Sequence, residues 1–141
     1  MIPVNYWAVL ASAVVMIVLG SLWYGPLFGK QWMAMMGIKM PEKMTPEIQK
    51  GMMRSYAIMA LGSFLLSLVL AHSIIFGKAY LGISGISAGL QGAFWNWLGF
   101  IAPVTLGPVL WENKPWKLWV LNAGYYLVGM LIIGVLLSIW V

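Results

Sequence analysis

The sequence contains no cysteine and no aspartate, and its three acidic residues are Glu42, Glu47 and Glu112. The lack of cysteine excludes disulfides, thiolate zinc sites, iron–sulfur clusters and cysteine nucleophiles. The lack of aspartate excludes a Ser/His/Asp triad, and the sequence has no HExxH motif and no glycine-rich phosphate loop. The glutamates all fall in connections between apolar runs. The sequence therefore predicts a protein that is not an enzyme and that has no metal site and no cofactor.

Charged residues of either sign are scarce. They make up 8% of the 141 residues, against about 25% in a typical soluble domain, while 62% of the residues are hydrophobic. Four long apolar runs hold almost none of them, and the exception is Lys117 at the edge of the last run. Each run reaches the roughly 20 residues that a helix needs to cross a bilayer. The sequence thus predicts an all-α polytopic membrane protein: one transmembrane domain over residues 1–141, folded as a four-helix bundle with spans at about 4–28, 56–76, 84–110 and 116–140.

The basic residues are unevenly distributed between the connections. Seven of the eight lie in or beside the first and third loops, and the second loop holds only Lys78. Because Lys and Arg accumulate in cytoplasmic loops, this split places loops 1 and 3 in the cytoplasm and both termini outside. We interpret the net charge of +5 as this topology signal and as attraction to anionic membrane lipids, with no nucleic-acid partner.

Loop 1 carries two helix signals. Residues 30–38 are rich in Met and Trp and begin with a lysine, which predicts a short helix in the membrane interface. Thr45-Pro46-Glu47 is typical of a helix start, with Thr45 as the N-cap and Pro46 in the first turn. We expect the helix that begins there to run without a break through the second span to about Phe76.

The third span contains a stripe of small residues with helical spacing. Gly85, Gly92 and Gly99 recur every seven residues, and Gly89 and Pro103 lie beside them. Small residues allow close backbone contact between membrane helices, where lipid supplies no hydrophobic driving force. We expect these five residues to pack against another helix of the same chain or against a second copy.

The main functional candidates are polar or amphipathic residues near the middle of the third span: Gln91, Trp95, Asn96 and Trp97. Their polar groups need partners, because an unpaired polar group in hydrocarbon is strongly unfavourable. The expected partners are Asn122, Tyr125 and Tyr126 on the fourth span, where Asn122 and Tyr126 share a face. Two interpretations are open: a polar cluster that locks the helices together, or a pocket for a small ligand or lipid headgroup.

His72 is the only histidine of the chain. It is also the only side chain in a span whose ordinary pKa lies near neutral pH. We expect it about one turn from the outer end of the second span, at a depth similar to that of Gln91. It is either a hydrogen-bonded structural residue or part of a proton-coupled site.

The methionines are concentrated in loop 1 and the start of the second helix. Seven of the 11 lie between Met33 and Met53. Thioethers are soft ligands that suit Cu(I), and they also suit an adaptable interfacial surface. Both interpretations of this cluster are open.

The end of the first span resembles a family of small bacterial membrane proteins. Gly20, Trp23-Tyr24, Pro26, Phe28-Gly29 and Trp32 form the pattern GxxWYxPxFGxxW. Further similar landmarks are Asn5, Trp7, Trp97-Leu98-Gly99-Phe100 with Pro103, and Asn122 with Tyr125-Tyr126. The family is known only as a domain of unknown function. The resemblance implies four transmembrane helices and a bacterial plasma membrane, and it implies no activity. It also makes Asn5, Trp23, Tyr24, Pro26 and Trp32 candidates for a shared structural or binding role.

The sequence leads to three functional expectations. The first is a non-enzymatic, homo-oligomeric membrane module that binds or passes a small apolar or neutral polar molecule, or a lipid. Its ligand-binding residues would be Trp95, Asn96, Trp97, Asn122 and Tyr126, with Gln91 and His72 beside them. The second is an accessory subunit of a larger membrane complex. The third is a Cu(I)-handling protein that uses Met33, Met35 and Met36.

Overall fold

The structure, a computed structural model, describes residues 2–140, and every regular element in that range is helical. The elements are α1 (Tyr6–Leu22), a π-helical turn (Trp23–Leu27), α2 (Gly29–Met36), α3 (Pro46–Leu81), α4 (Gly85–Phe100), a 3-10 turn (Val104–Leu106), α5 (Gly107–Trp111) and α6 (Trp116–Ile139). Three helices are long and apolar enough to cross a membrane: α1 with its π turn, α3 and α6. α4 and the segment Val104–Trp111 complete a fourth span if this bent pair is counted as one. The prediction of a helical membrane bundle is confirmed.

The spans pack in the cyclic order α1, α3, α4, α6, and the most extensive contact joins α4 to α6. The two ends of the described chain meet, since the Asn5 amide nitrogen donates to the Trp140 carbonyl at 3.5 Å. At the same end, Lys78 Nζ at the end of α3 donates to the Ser138 carbonyl at 2.8 Å. We call this the terminal end of the bundle. The opposite end, which carries α2 and the turn between α5 and α6, is the loop end.

Helix starts follow their capping residues. Asn5 caps α1, because its side-chain oxygen accepts from the backbone N–H groups of Trp7 and Ala8. The predicted N-cap of α3 is confirmed: the Thr45 hydroxyl oxygen accepts from the Ile48 N–H at 3.2 Å. α3 continues past Phe76 to Leu81, so it is one turn longer than expected and the connection to α4 is correspondingly shorter.

Two glycines allow α4 to approach its neighbours closely. A Cβ on Gly89 would overlap the Gly134 carbonyl of α6 and lie 2.7 Å from the Ser138 hydroxyl oxygen. A Cβ on Gly92 would lie 2.8 Å from Cγ1 of Ile74 on α3. Both contacts leave no room for a side chain, so these glycines set the distance between the helices.

The other members of the predicted stripe lie elsewhere. Gly85 starts α4 with a φ of 58° and has open space around it, as does Gly99. Pro103 is exposed and follows the end of α4. The packing stripe is therefore limited to the middle of the helix.

The third span, expected as one helix to residue 110, is bent by 46° after Phe100. Pro103 explains the break, because it has no N–H to continue the helix and its ring clashes with the preceding turn. The N–H groups of Ile101 and Ala102 both bond the Trp97 carbonyl, which closes α4. The chain then turns away from the axis of α4 toward the loop end.

Candidate ligand cavity at the loop end of the bundle

A cavity of about 670 Å³ lies between the helices at the loop end, and we call it the loop-end cavity. Its walls come from the second half of α1, the π turn, α2, the membrane-facing start of α3, the segment after the bend, and the first half of α6; α4 contributes no residue. This volume lies within the range of roughly 300–1,000 Å³ that is usual for small-molecule sites. The bend after α4 thus positions the cavity, because the segment that follows α4 forms one of its walls.

A hydrogen-bonded pair joins the π turn to α6 inside the cavity. The Tyr24 hydroxyl donates to the Asn122 side-chain oxygen at 2.7 Å. Both residues line the cavity, and so does Tyr126, one turn further along α6. In the described part of the chain, neither the Asn122 amide nitrogen nor the Tyr126 hydroxyl has a hydrogen-bond partner. These two groups can therefore bond a molecule in the cavity.

Aromatic rings fix the orientation of Tyr24. Its ring meets Trp32 of α2 edge-on at 5.5 Å and Tyr125 of α6 at 5.4 Å between centroids. Edge-to-face contacts of this kind are favourable because of the ring quadrupole. The Tyr125 hydroxyl in turn donates to the Met16 carbonyl at 2.8 Å, in the buried core. The Tyr24 ring therefore has contacts with two other elements.

The π turn lets two adjacent residues reach the same helix. The N–H of Phe28 bonds the Trp23 carbonyl at 2.9 Å, an i+5 spacing that accommodates Pro26. Trp23 Nε1 then donates to the Leu121 carbonyl of α6 at 3.0 Å, beside the Tyr24–Asn122 bond. Such turns are frequent at functional sites.

Gly29 explains how α2 turns back beside the π turn. A Cβ there would lie 2.6 Å from the Tyr24 carbonyl oxygen. The glycine lets α2 start against Tyr24, and it brings Trp32 and Met36 to the cavity wall. The predicted short helix of loop 1 is therefore present and forms one side of the cavity.

The cavity is uncharged inside. Among the residues that the structure describes, the charged lining residues are Glu112 and Lys114, in the turn between α5 and α6 at the loop end. The remaining polar lining consists of hydroxyls, the Trp32 indole and the Asn122 amide, and the hydroxyls include those of Ser21, Ser63 and Thr105. A molecule bound in the cavity away from this turn would contact no charged side chain.

Two of the seven predicted ligand residues, Asn122 and Tyr126, line this cavity, and the structure does not bring the other five to it. The partner of Asn122 is Tyr24, not a residue of α4. The Asn96 amide donates instead to the Ser73 hydroxyl at 2.7 Å and to the Gly92 carbonyl at 2.8 Å.

The remaining predicted residues form hydrogen bonds away from the cavity or face outward. Trp97 Nε1 donates to the Ala123 carbonyl at 2.8 Å, a contact that locks α4 to α6. The Gln91 amide donates to Ser87 one turn earlier on α4, and Trp95 is 63% exposed. His72 Nδ1 lies 2.8 Å from the Leu68 carbonyl of its own helix. Of the proposed Cu(I) methionines, Met36 lines the cavity and Met33 and Met35 do not.

Tyr24 and Trp32 were indicated only by the family resemblance. Met16, Met59 and Ser63 also line the cavity, and no sequence signal marks them. Each is one apolar or small residue among many in a span. Their position depends on which faces of α1 and α3 meet.

These features define a class of protein: a helical membrane bundle with an uncharged cavity at one end. The chain belongs to the family DUF1761, described as a protein of unknown function, whose model matches residues 7–138. The family relationship suggested by the first span is confirmed. No curated protein and no solved structure matches the chain.

Proposed function

We propose that the protein is a non-enzymatic membrane module that binds a small, uncharged, largely apolar molecule or lipid in the loop-end cavity. The observation that carries the proposal is the uncharged interior of this 670 Å³ space, with the Tyr24–Asn122 pair on its wall. Apolar walls with a few placed hydrogen-bonding groups are typical of sites for small organic molecules.

The chemistry of the lining supports binding over catalysis. Glu112 is the one carboxylate among the described lining residues, and it is exposed in the turn between α5 and α6. No histidine and no second acid accompany it in the described lining. Catalysis by proton transfer or by an activated nucleophile needs such a pair within hydrogen-bond reach.

The distribution of basic residues supports a position of the cavity on the cytoplasmic side of the membrane. The loop end carries seven of the eight Lys and Arg side chains, so we propose that it faces the cytoplasm of a bacterial cell. The cavity would then open toward the cytoplasmic leaflet, with Lys114 at headgroup depth. An amphipathic ligand would enter from that side.

Two asparagines allow a matched test. Asn122 and Asn96 each bond one hydroxyl across helices, but only Asn122 lines the cavity. The purified wild type is extracted with organic solvent, and the bound molecules are quantified by mass spectrometry. We expect a molecule that is retained by Asn96→Leu and lost from Asn122→Leu. Identical extracts from all three proteins would contradict the proposal.

We also propose that the protein is a homo-oligomer that associates through the outer face of α4. Gln91, Trp95 and Gly99 are exposed there, which would leave an amide and an indole facing lipid. A second copy would cover both groups, and Gly99 would allow close approach.

Mass measurement in lipid nanodiscs tests this association. We expect more than one copy per particle for the wild type and for Val69→Leu on the outer face of α3, and fewer for Gln91→Leu. A monomeric wild type would overturn the proposal. A different protein at fixed stoichiometry would favour the accessory-subunit alternative.

A further inference from the structure

The contact between α1 and α3 extends from the loop-end cavity toward the terminal end of the bundle. We call this contact the α1–α3 seam. Its six residues are small or flexible, and all are buried: Ala8, Ser12 and Met16 on α1, and Ser63, Ser67 and Ala71 on α3. Three of the six are serines, although the seam lies within two apolar spans.

The seam joins two openings. Met16 and Ser63 line the loop-end cavity. Ala8 and Ala71 line a second, much smaller pocket of about 20 Å³ at the terminal end, beside Asn5. Along each helix, the stretch without an opening is therefore about two turns, or about 12 Å, long.

The register of the seam follows from these two openings. The helices α1 and α3 are antiparallel neighbours. Ala8 and Ala71 line the same small pocket, and Met16 and Ser63 line the same cavity, so the two residues of each pair lie at a similar depth. Ser12 lies four residues from both Ala8 and Met16, and Ser67 holds the same position on α3. The two serines thus occupy one level, halfway along the closed section.

Both of these serines have an unused hydroxyl. Ser12 Oγ and Ser67 Oγ are fully buried and have no hydrogen-bond partner in the described chain. A buried hydroxyl without a partner costs roughly 1–3 kcal/mol, and hydrocarbon supplies no water to relieve it. The Ser12 and Ser67 hydroxyls lie at one level between the two openings, which indicates a place where a polar molecule that moves between the openings would form hydrogen bonds.

Met16 closes the seam on the side of the cavity. Its side chain is 1% exposed and packs on Gly129 of α6, where a Cβ would lie 2.6 Å from the sulfur. A thioether side chain is unbranched and adapts its rotamer readily. Rotation of this side chain would connect the cavity with Ser12 and Ser67.

We infer that the α1–α3 seam is the closed section of a path for a small uncharged polar solute, such as an amide or an alcohol, with Met16 as the closing side chain. The inference rests on the proposed function, because the solute enters from the loop-end cavity. Serine hydroxyls both donate and accept, which suits amides and alcohols. The seam offers no charge to compensate an ion.

The absence of cysteine makes the path directly testable, because a single introduced thiol is the only one in the chain. Ser63→Cys, Ser67→Cys and Ser12→Cys are reconstituted in vesicles and treated with iodoacetamide, a small neutral amide. Modification is followed by intact mass. A thiol reacts as the thiolate and stays inert in apolar surroundings, so the rate reports access of water and solute. Ser138→Cys is the control, since Ser138 is 2% exposed between α4 and α6, away from the seam.

We expect Ser63→Cys to react fastest, and Ser12→Cys and Ser67→Cys to react at least about tenfold faster than the control. Met16→Ala should raise the rate of Ser67→Cys further, and Met16→Leu, which conserves volume, should not. Control-level rates at Ser12 and Ser67 with a fast Ser63→Cys would overturn the path and leave the binding proposal intact. A control-level rate at Ser63 would overturn both. An unchanged rate in Met16→Ala would remove Met16 as the closing side chain.

Discussion

Aromatic side chains in this protein donate their polar hydrogens to backbone carbonyls of neighbouring helices. The four cases are Trp23 to Leu121, Trp97 to Ala123, Trp119 to Ala102 and Tyr125 to Met16, at 2.8–3.0 Å. A helix carbonyl keeps a second lone pair after its own hydrogen bond. In hydrocarbon that lone pair is an available acceptor, so indoles and phenols in the spans lock helices together.

The bond from Trp97 to the Ala123 carbonyl is one of these links between helices. We expect Trp97→Phe to lower the free energy of unfolding by at least about 0.5–1.5 kcal/mol, because a six-membered aromatic ring remains while the bond to Ala123 is lost. Trp111→Phe is the control, since Trp111 is exposed at the end of α5, outside the proposed interface on α4. Thermal unfolding in detergent is the measurement. An equal melting temperature for both variants would contradict a structural role for the Trp97 bond.

At the residue scale, the sequence shows which side chains need partners and not which partners they have. The need of Asn96 and Trp97 follows from their depth in an apolar span. Their partners are Ser73 and the Ala123 carbonyl. Every residue has a carbonyl, so an acceptor of this kind leaves no mark in the sequence.

At the scale of the elements, a pair of glycines determines how α4 packs on α6. Gly89 and Gly134 approach so closely that a Cβ on either would meet the backbone of the other. We expect Gly89→Ala to destabilise the bundle by more than about 1 kcal/mol, because neither backbone can yield locally. The measurement is thermal unfolding with size-exclusion chromatography.

Gly62→Ala in the middle of α3 is the control, because Gly62 is exposed and lies outside the proposed interface on α4. Its Cβ would meet nothing within 4 Å, and alanine favours helix over glycine by up to about 1 kcal/mol. This variant should be neutral or slightly stabilised. A loss of stability equal to that of Gly89→Ala would show that the contact with Gly134 is not the cause.

Helical spacing predicted a stripe of packing glycines on α4, but the glycines at the two ends of the helix do not pack against a neighbour. Gly85 and Gly99 have the spacing of Gly92 but lie at the first and second-to-last positions of the helix. The prediction of one continuous third span was also wrong, because the chain bends near Pro103. A proline in the sequence is compatible with either a kink or a full bend. Which of these occurs depends on the neighbours, here the Trp119 bond to the Ala102 carbonyl.

At the scale of the whole molecule, α3 ties the two ends of the bundle together. Lys50 lies near its start and Tyr80 near its end, and both are exposed. Thirty residues of unbroken helix separate them by about 45 Å, more than the thickness of a bilayer core.

The two positions should therefore lie in different compartments. We expect Lys50→Cys to react with an impermeant maleimide only from the cytoplasmic side, and Tyr80→Cys only from the other side. The cysteine-free chain supplies the background. Reaction of both from one side would contradict a membrane-spanning α3, and a reversed pattern would contradict only the orientation.

The class of the protein was predictable from the sequence, and the cavity was not. The scarcity of charge within four runs is a property of composition, which does not depend on tertiary contacts. The cavity depends on the bend after α4, on α2 folding back at Gly29 and on the faces that α1 and α6 present. The i,i+4 spacing of Asn122 and Tyr126 predicted two of its lining residues, and the family resemblance indicated Tyr24 and Trp32.

The length of α3 has a mechanical consequence. Its 36 residues form a rod of about 54 Å, so its first turns extend beyond the bundle at the loop end, where residues 49–54 are exposed. A rigid rod transmits tilt along its whole length. Any force on the protruding arm, from a bound protein or from lateral pressure in the bilayer, would act as a torque on α3 where it meets α1.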